Sequence, residues 1–546
     1  MKCKVLPLFI AVALLAMLLS AAGCQASQTT AAPPTTGSSA AQTTTLQQTT
    51  KSTMQGNMYL AGLPLVKDKV VYKFVAIQNS VVNKDLNELG IVKVWENETN
   101  IDFQIEAYAP SNITERVNLM IATQALPDVF FGGAATDLVK NGADGTYLPL
   151  ETLLDKWCPN MKELFGKRSD IIKPCYAPDG HLYGFPQFYE TGQHYCRGFY
   201  VHMDWLKETG LAMPKTTDSW LALLRALKGK DWNKDGSTAG EYPLGLCIKE
   251  TANDIGSMFM WFGMPAYSIN YVKNDQKIGC GFTDPGYKAG VSFLRTIYAE
   301  ALCDPEIFTH DTQTYRAKVA NYKYGVFGMF CPYNAFGTTK TQDDYRYQLM
   351  EPPTGPNGTK GWVWGPTRPM ANAFVITKAC KNPEIMARFA DYCAETKMSL
   401  QLAVGLLGQN LLDNKDGTYS QPAVIGPHEM FSSNSLHIIT KDRWNLVKPG
   451  FYDAQRLPLV KMYEPVVNMN AIFPMIQATA QESQKISTLS TDIMNYINQA
   501  QAKWVTEGGI DNEWDAYVAK LRAMGLDDLL AIYQQQYDRY LTTAGK

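Results

Sequence analysis

The apolar positions of this chain change period in a regular order. Val70-Val71-Tyr72-Lys73-Phe74-Val75-Ala76-Ile77 reads as a buried strand, and Leu86, Leu89 and Val92 then fall on one helical stripe. Ile101, Phe103 and Ile105 alternate with polar residues as a second strand. Val117, Met120 and Ile121 return to helical spacing, and Pro127-Asp128-Val129-Phe130-Phe131 predicts a third strand. Strands alternating with helices imply an α/β fold, a parallel sheet with helices on both faces, and ligands of such sheets bind beyond the carboxyl ends of the strands. Those ends are expected around Gln78-Asn79, Tyr108 and Gly132-Gly133.

Farther along, Pro214 to Trp220 reads as the start of a helix capped by Thr217 or Asp218, with Leu221, Leu224 and Leu227 on one stripe. Tyr287, Val291, Leu294, Tyr298 and Leu302 repeat at helical spacing, Gly325 to Phe330 reads as a strand, and almost all of the last hundred residues have a helical pattern. These stripes are core positions. No internal repeat is visible.

Ahead of Val70 the pattern disappears. Lys2 and Lys4 precede an apolar run from Val5 to Leu19, and small residues follow up to Cys24, which is the anatomy of a secretory signal. The run is shorter than the ~20 residues that a bilayer core requires. Ser20-Ala21-Ala22-Gly23-Cys24 resembles a bacterial lipobox, although Ala21 stands where leucine is usual; the resemblance implies that Cys24 is diacylated and becomes the first residue of the mature chain. From Gln25 to about Gly56 the Ser, Thr, Ala, Gln and Pro composition has little to bury and predicts a disordered tether. Order is expected from about Val70.

With 546 residues, a net charge of -2 and 19% charged residues, the composition suggests no polyanion-binding surface, and nucleic acid is not an expected partner. About 490 residues remain for two large lobes or more. Apart from Cys3 and Cys24, the cysteines are scattered from Cys158 to Cys393 without CxxC spacing, which argues against a disulfide framework or a zinc ribbon and for buried small hydrophobes. HExxH, GxSxG, SxxK and P-loop motifs are absent from the sequence, and the histidines show no metal-ligand clustering. A carboxylate pair of the glycoside hydrolase kind, distant along the chain, stays open as an alternative.

Several stretches taken in order resemble the extracellular solute-binding lipoproteins of bacterial ABC importers, in the carbohydrate-binding branch. They are Asn118 to Ala122 with Leu126 to Phe131, Ala177 to Gln187, Tyr200 to Leu211 with Pro214 to Trp220, Asp304-Pro305-Glu306-Ile307-Phe308, and Trp514 to Tyr517 through Leu526. The resemblance implies a type II clamshell of two α/β lobes with a helical C-terminal part, closing on a sugar and delivering it to the permease transmembrane subunits. It places a signal peptide at 1–23, the lipidated tether at 24–56 and the binding domain at 57–546. The first lobe takes about 57–186 and 370–440, the second about 187–369 and parts of 441–546. The first crossing is expected near Phe185-Pro186-Gln187 and the return near Thr367 to Asn372. The implied location is the outer face of a Gram-positive cell membrane, held by the lipid. A surface glycan-binding or sensing lipoprotein without a transport role would share the fold and the anchor.

Asp231, Asn233, Asp235 and Ser237 place oxygen side chains at alternate positions with Gly236 at the turn, resembling the first half of an EF-hand loop, and Glu241 stands one residue before the usual closing acid. The expected cofactor is a structural Ca2+; the alternative is an Asx-type turn without metal. Sugar recognition wants aromatic faces and amides at strand ends. The aromatic candidates are Trp261, Tyr333, Trp364 and Tyr189 and the amides Gln187 and Asn79, each of the aromatics also having a reading as core.

Overall fold

The computed structural model describes residues 53–544 except 79–81, 83, 191–196, 338–345, 364–367, 423–428, 432–434, 451–456 and 459–460. The signal run, Cys24 and most of the tether lie outside the described residues. Among the described residues no helix is long and apolar enough to cross a membrane.

The folded part begins earlier than the strand at Val70. Met54–Gln55 pairs with Met58–Tyr59 as a short hairpin, and Met58, Leu65 and Val66 are buried in the first core. The chain then follows the predicted alternation: β1 (Val70–Ile77), α1 (Gly90–Thr99), β2 (Ile101–Tyr108), α2 (Ile113–Thr123) and β3 (Val129–Phe131), then β4 (Phe185–Tyr189) after a set of short helices. Next come β5 (Gly198–His202), α3 (Thr217–Leu227), β6 (Tyr242–Gly245), α4 (Ile248–Met260), α5 (Pro285–Ala299), β7 (Tyr324–Met329) and β8 (Tyr347–Leu349). The chain returns with β9 (Met370–Ile376), α6 (Pro383–Cys393) and β10 (Ile438–Ile439), and ends in α7 (Ala480–Thr506), α8 (Ile510–Ala523) and α9 (Leu526–Ala544).

Two sheets result. The first has the order β10-β4-β9-β3-β1-β2, parallel except for β9, which runs against both β3 and β4. The second has the order β8-β5-β7-β6, with β5 antiparallel to its neighbours β7 and β8. The chain leaves the first sheet after Tyr189, a few residues beyond the position expected from the resemblance. It re-enters at Met370.

Each sheet has its own core. Around Trp95 in the first, Phe103, Phe131 and Phe389 meet edge-on at 5.5, 5.8 and 5.1 Å. That geometry favours ring pairs, and each fully buried Phe or Leu is worth about 1.5–3 kcal/mol. The second core holds Trp220, Trp261 and Trp362, and also Trp504, Tyr517 and Leu529, so the C-terminal helices belong to this lobe. Helix α3 is capped by Thr216, one residue ahead of the expected Thr217 or Asp218, because Ser219 is then at the third position and completes a capping box with it. The described cysteines, Cys158, Cys175, Cys247, Cys280, Cys303, Cys331, Cys380 and Cys393, are buried, in line with their reading as small hydrophobes.

Candidate functional site

The carboxyl ends of β1, β3 and β4 meet the amino end of the antiparallel β9. Met370 is in register with Gln187 of β4, and its sulfur stands 3.2 Å from where a side chain at Gly133 would begin, at a backbone φ of +88° that glycine adopts freely. Asn372 donates through Nδ2 to the carbonyls of Gly133 at 3.1 Å and Ala135 at 2.8 Å, which fixes the loop after β3.

Across from this edge runs the segment that leads into α7. Thr479 caps the helix in a capping box with Glu482. Ala480, Ser483, Gln484 and Ser487, at i, i+3, i+4 and i+7, share one face. A helix that packs against a sheet ordinarily puts apolar residues on that stripe. Here the stripe is small and polar, and it borders a cavity of 920 Å³ whose other wall is Asp137, Lys140, Met370 and Asn372; Gln477 and Gln481 complete the rim. Further along, α7 packs on α5 in the second lobe, so the cavity is walled by both lobes. Its volume lies in the range of small-molecule sites, and its amides offer donors and acceptors together, as hydroxyl-rich ligands require.

At the facing end of the second sheet, Arg197 Nε is 3.0 Å from Oδ2 of the fully buried Asp254. A side chain at Gly328 of β7 would begin 2.7 Å from the same oxygen, so the pair needs glycine there.

The expected ligand residues separate. Gln187 donates from Nε2 to His437 Nε2 at 3.0 Å, and the other imidazole nitrogen donates to Ser435 Oγ at 2.8 Å, so this amide is tied into a buried polar chain within the first lobe. Tyr189 ends β4 and sets its ring edge-on to His437 at 5.2 Å and Trp444 at 5.7 Å. Trp444, in the short helix after β10, forms with it an aromatic pair that sequence reading missed, because the two-residue strand ahead of it carries no usable periodicity.

Trp261 is a correction. It is 0% exposed and packs edge-on to Phe199 and Trp220, at 5.8 and 5.3 Å. Gly263 and Pro265 after it signal a loop, yet Trp261 continues the stripe of Asp254, Ser257 and Met258 at the end of α4, and that stripe points into the core. Asn79 and Trp364 lie outside the described residues. The backbone of Tyr333 opens the helical turn Tyr333–Phe336 after β7.

The calcium candidates converge. Carboxylate oxygens of Asp231, Asp235 and Glu241 all lie within 4.8 Å of one another. Asp231 accepts from the N–H of Gly236 at 2.9 Å and of Asp235 at 3.2 Å, Asn233 Oδ1 from the N–H of Asp235 at 3.0 Å, and Ser237 Oγ from the N–H of Ala239 at 3.1 Å. Glu241 Oε2 holds the N–H of Trp232 at 2.8 Å, while Oε1 is buried without a hydrogen bond and burial raises the carboxyl's pKa. Lys323 reaches in, with Nζ 2.8 Å from Asp235 and 3.7 Å from Glu241. An orphaned buried carboxylate oxygen among hard oxygen donors fits a calcium ion.

Comparison with known proteins gives the family. The sequence profile of bacterial extracellular solute-binding proteins matches residues 90–407. The fructooligosaccharide ABC transporter substrate-binding protein FusA of Streptococcus pneumoniae serotype 4 is 31% identical over 500 residues, covering 87% of this chain and 91% of that protein. FusA in complex with kestose, and an EF-hand mutant of it in complex with fructo-nystose, each superpose with a TM-score of 0.77 at 29% identity, over 87% of this chain and all of that one. Lipoprotein LipO of Bacillus subtilis is 23% identical over 241 residues, 43% of this chain and 45% of that protein. An extracellular solute-binding protein from Bifidobacterium longum subsp. infantis shares the fold, with a TM-score of 0.76 at 21% identity, over 86% of this chain and 98% of that one.

Proposed function

The chain belongs to the bacterial extracellular solute-binding protein family, and from that premise we propose that it is the substrate-binding component of an ABC importer, capturing an oligosaccharide and handing it to the permease. The observation that carries the sugar reading is the amide-lined cavity of 920 Å³ between the lobes. Gln477, Gln481, Gln484 and Asn372 would exchange hydrogen bonds with hydroxyls, Asp137 and Lys140 would add charged ones, and the pair Tyr189 and Trp444 offers ring surface at the neighbouring strand end. FusA's complexes with kestose and fructo-nystose make a short fructose-containing oligosaccharide the first cargo to try.

Function on this reading is binding alone. A ligand that touches both lobes favours the closed arrangement by its contacts there. The calcium ion, held by Asp231, Asn233, Asp235, Ser237 and Glu241, would pin the loop ahead of β6 and take no part in recognition. Cys24 would carry the lipid that keeps the receptor at the outer face of the membrane, with the tether giving it reach.

Thermal melting of the purified full-length chain in detergent tests the reading. A fructooligosaccharide at a hundredfold excess over its dissociation constant adds roughly 2.7 kcal/mol to the stability of the folded state. Gln484→Ala should weaken that sugar about tenfold, since it removes hydrogen bonds from a partly desolvated site. Silence across a panel of neutral oligosaccharides, or consumption of the added sugar, would sink the proposal.

A further inference from the structure

Alternate residues on two neighbouring segments face different spaces. Met370 and Met475 line the interlobe cavity. Two positions earlier on each segment, Arg368 and Phe473 line a separate cavity of 190 Å³ within the second lobe, together with Tyr267, Asn270, Trp362 and Asn468. That volume is several times the ~30 Å³ share of one water molecule, enough for a small substituent and its first contacts.

Among the described residues that line this cavity, Arg368 carries the charge. Arg368 donates from Nη2 to the Phe473 carbonyl at 2.8 Å, and among the described residues no carboxylate pairs with it. The residue is solvent-exposed, and partial desolvation of its guanidinium lowers its pKa. Arg388 and Arg443 differ. Burial lowers theirs too, but Asp391 stands near the first and Asp442 near the second. A guanidinium has five N–H donors in a planar fork, and Arg368 spends one.

The other polar groups point the same way. Ser268 Oγ lies 2.7 Å from the Asn270 carbonyl and 2.9 Å from its Oδ1, which holds Asn270 in the cavity wall. Trp362 donates its N–H to the Arg197 carbonyl at 2.8 Å, and contributes ring surface only. A cavity whose described lining has a cation, amides and apolar walls, but no acid, suits an acceptor that carries negative charge.

We propose that this cavity is an anion subsite, in which Arg368 takes a carboxylate of the ligand through its guanidinium fork and Asn270 donates a further hydrogen bond. The carboxylate would come either from a uronate residue of the cargo sugar, in which case the inference rests on the receptor reading above, or from a free small organic acid.

Isothermal titration of the full-length chain in detergent distinguishes these, with uronate oligosaccharides each paired with its neutral counterpart, and with acetate and succinate alone. Charge-assisted hydrogen bonds predict at least about tenfold preference for the acidic partner of a pair. Arg368→Gln should abolish that preference and leave the affinity for the neutral partner unchanged. Arg368→Lys keeps the charge without the fork and should lower the preference several-fold, and it carries the test if the glutamine variant does not fold. Uronate preference would identify an acidic cargo; binding of succinate or acetate alone, lost in Arg368→Gln, would identify a free-acid site. Neutral sugars binding while no carboxylate does, or a preference that survives Arg368→Gln, would overturn the subsite and leave the receptor standing. Carboxylate binding with no sugar binding would do the reverse.

Discussion

Two acidic clusters stand on the second lobe, and on a count of candidate ligand residues they look alike, with three each. Asp231, Asp235 and Glu241 gather on the loop before β6; Asp304, Glu306 and His310 gather beside the same strand, and in each cluster the ligand atoms lie within 4.8 Å of one another. Each also holds a lysine. Each has a buried polar atom without a hydrogen bond, His310 Nδ1 in one and Glu241 Oε1 in the other, and the difference is in whether that atom belongs to a carboxylate. Asp304 is fully buried, and its Oδ2 receives Lys318 Nζ at 2.7 Å and the Tyr324 hydroxyl at 2.6 Å, while Oδ1 takes the N–H of Glu306 at 2.9 Å. In the loop, three carboxylates face the single ammonium of Lys323, and Glu241 Oε1 has no hydrogen bond. Proximity of acids therefore does not separate a metal loop from an internal ion-pair network. Unmatched charge and an unsatisfied buried oxygen do.

The largest effect that would sharpen this contrast is expected from Asp304→Ala. Removing Asp304 leaves the buried Tyr324 hydroxyl without its carboxylate and Lys318 with Glu306 alone, and the folded state should lose about 3–5 kcal/mol in urea unfolding, equally with calcium and with chelator. Acid should act in the same direction on the wild type. Burial alone would raise the Asp304 carboxyl, but the hydrogen bonds from Lys318 and Tyr324 outweigh it and hold the pKa below the ordinary value. A lowered folded-state pKa contributes stability that is present above about pH 4 and lost as pH falls through the folded value. Asp304→Ala should therefore flatten the acid limb of the stability curve. A calcium-dependent loss in this variant would break the distinction between the clusters.

The second expected effect belongs to the loop. Calcium at a hundredfold excess over its dissociation constant should add roughly 2.7 kcal/mol of stability, and Glu241→Gln should abolish most of the response by removing the charge of the acid that closes the loop. Melting in calcium against chelator reads it directly. A full response in Glu241→Gln would exclude that carboxylate as a ligand.

What could be read from the amino-acid sequence follows from how local each feature is. The first-lobe strands and the loop ligands repeat within a few residues, so alternation and oxygen spacing expose them. Thr216 was missed as a cap by one position because Thr216, Thr217 and Asp218 all have capping chemistry, and only the partner at Ser219 decides among them. Trp261 was misplaced because Gly263 and Pro265 signal a turn, whereas the helical face continues through Asp254, Ser257 and Met258 to the tryptophan. The interlobe cavity was out of reach: it joins residues near 137 and 370 to a stripe near 484, and that pairing exists only once the lobes have packed. The stripe Ser483, Gln484 and Ser487 did carry a signal, polar residues at helical spacing where core was expected.

The smallest effect concerns Lys323, and it bears on what fills the loop without metal. Its ammonium lies where a cation is wanted, 2.8 Å from Asp235 and 3.7 Å from Glu241. Its backbone carbonyl accepts the N–H of Tyr242 at 2.9 Å, so a side-chain substitution leaves the strand edge in place. Surface ion pairs are worth about 0.2–1 kcal/mol, so Lys323→Met should cost no more than about that much stability in chelator. Calcium must displace the ammonium in the wild type and has nothing to displace in the variant. Its affinity should then rise about two- to fivefold, the same free energy expressed as a dissociation constant, and the gain should shrink at high salt as screening weakens the pair it replaces. Titration against a calibrated chelator would show it. Weaker calcium binding in Lys323→Met would mean that the lysine supports the loaded loop, and the contrast with Lys318 in the Asp304 cluster would then disappear.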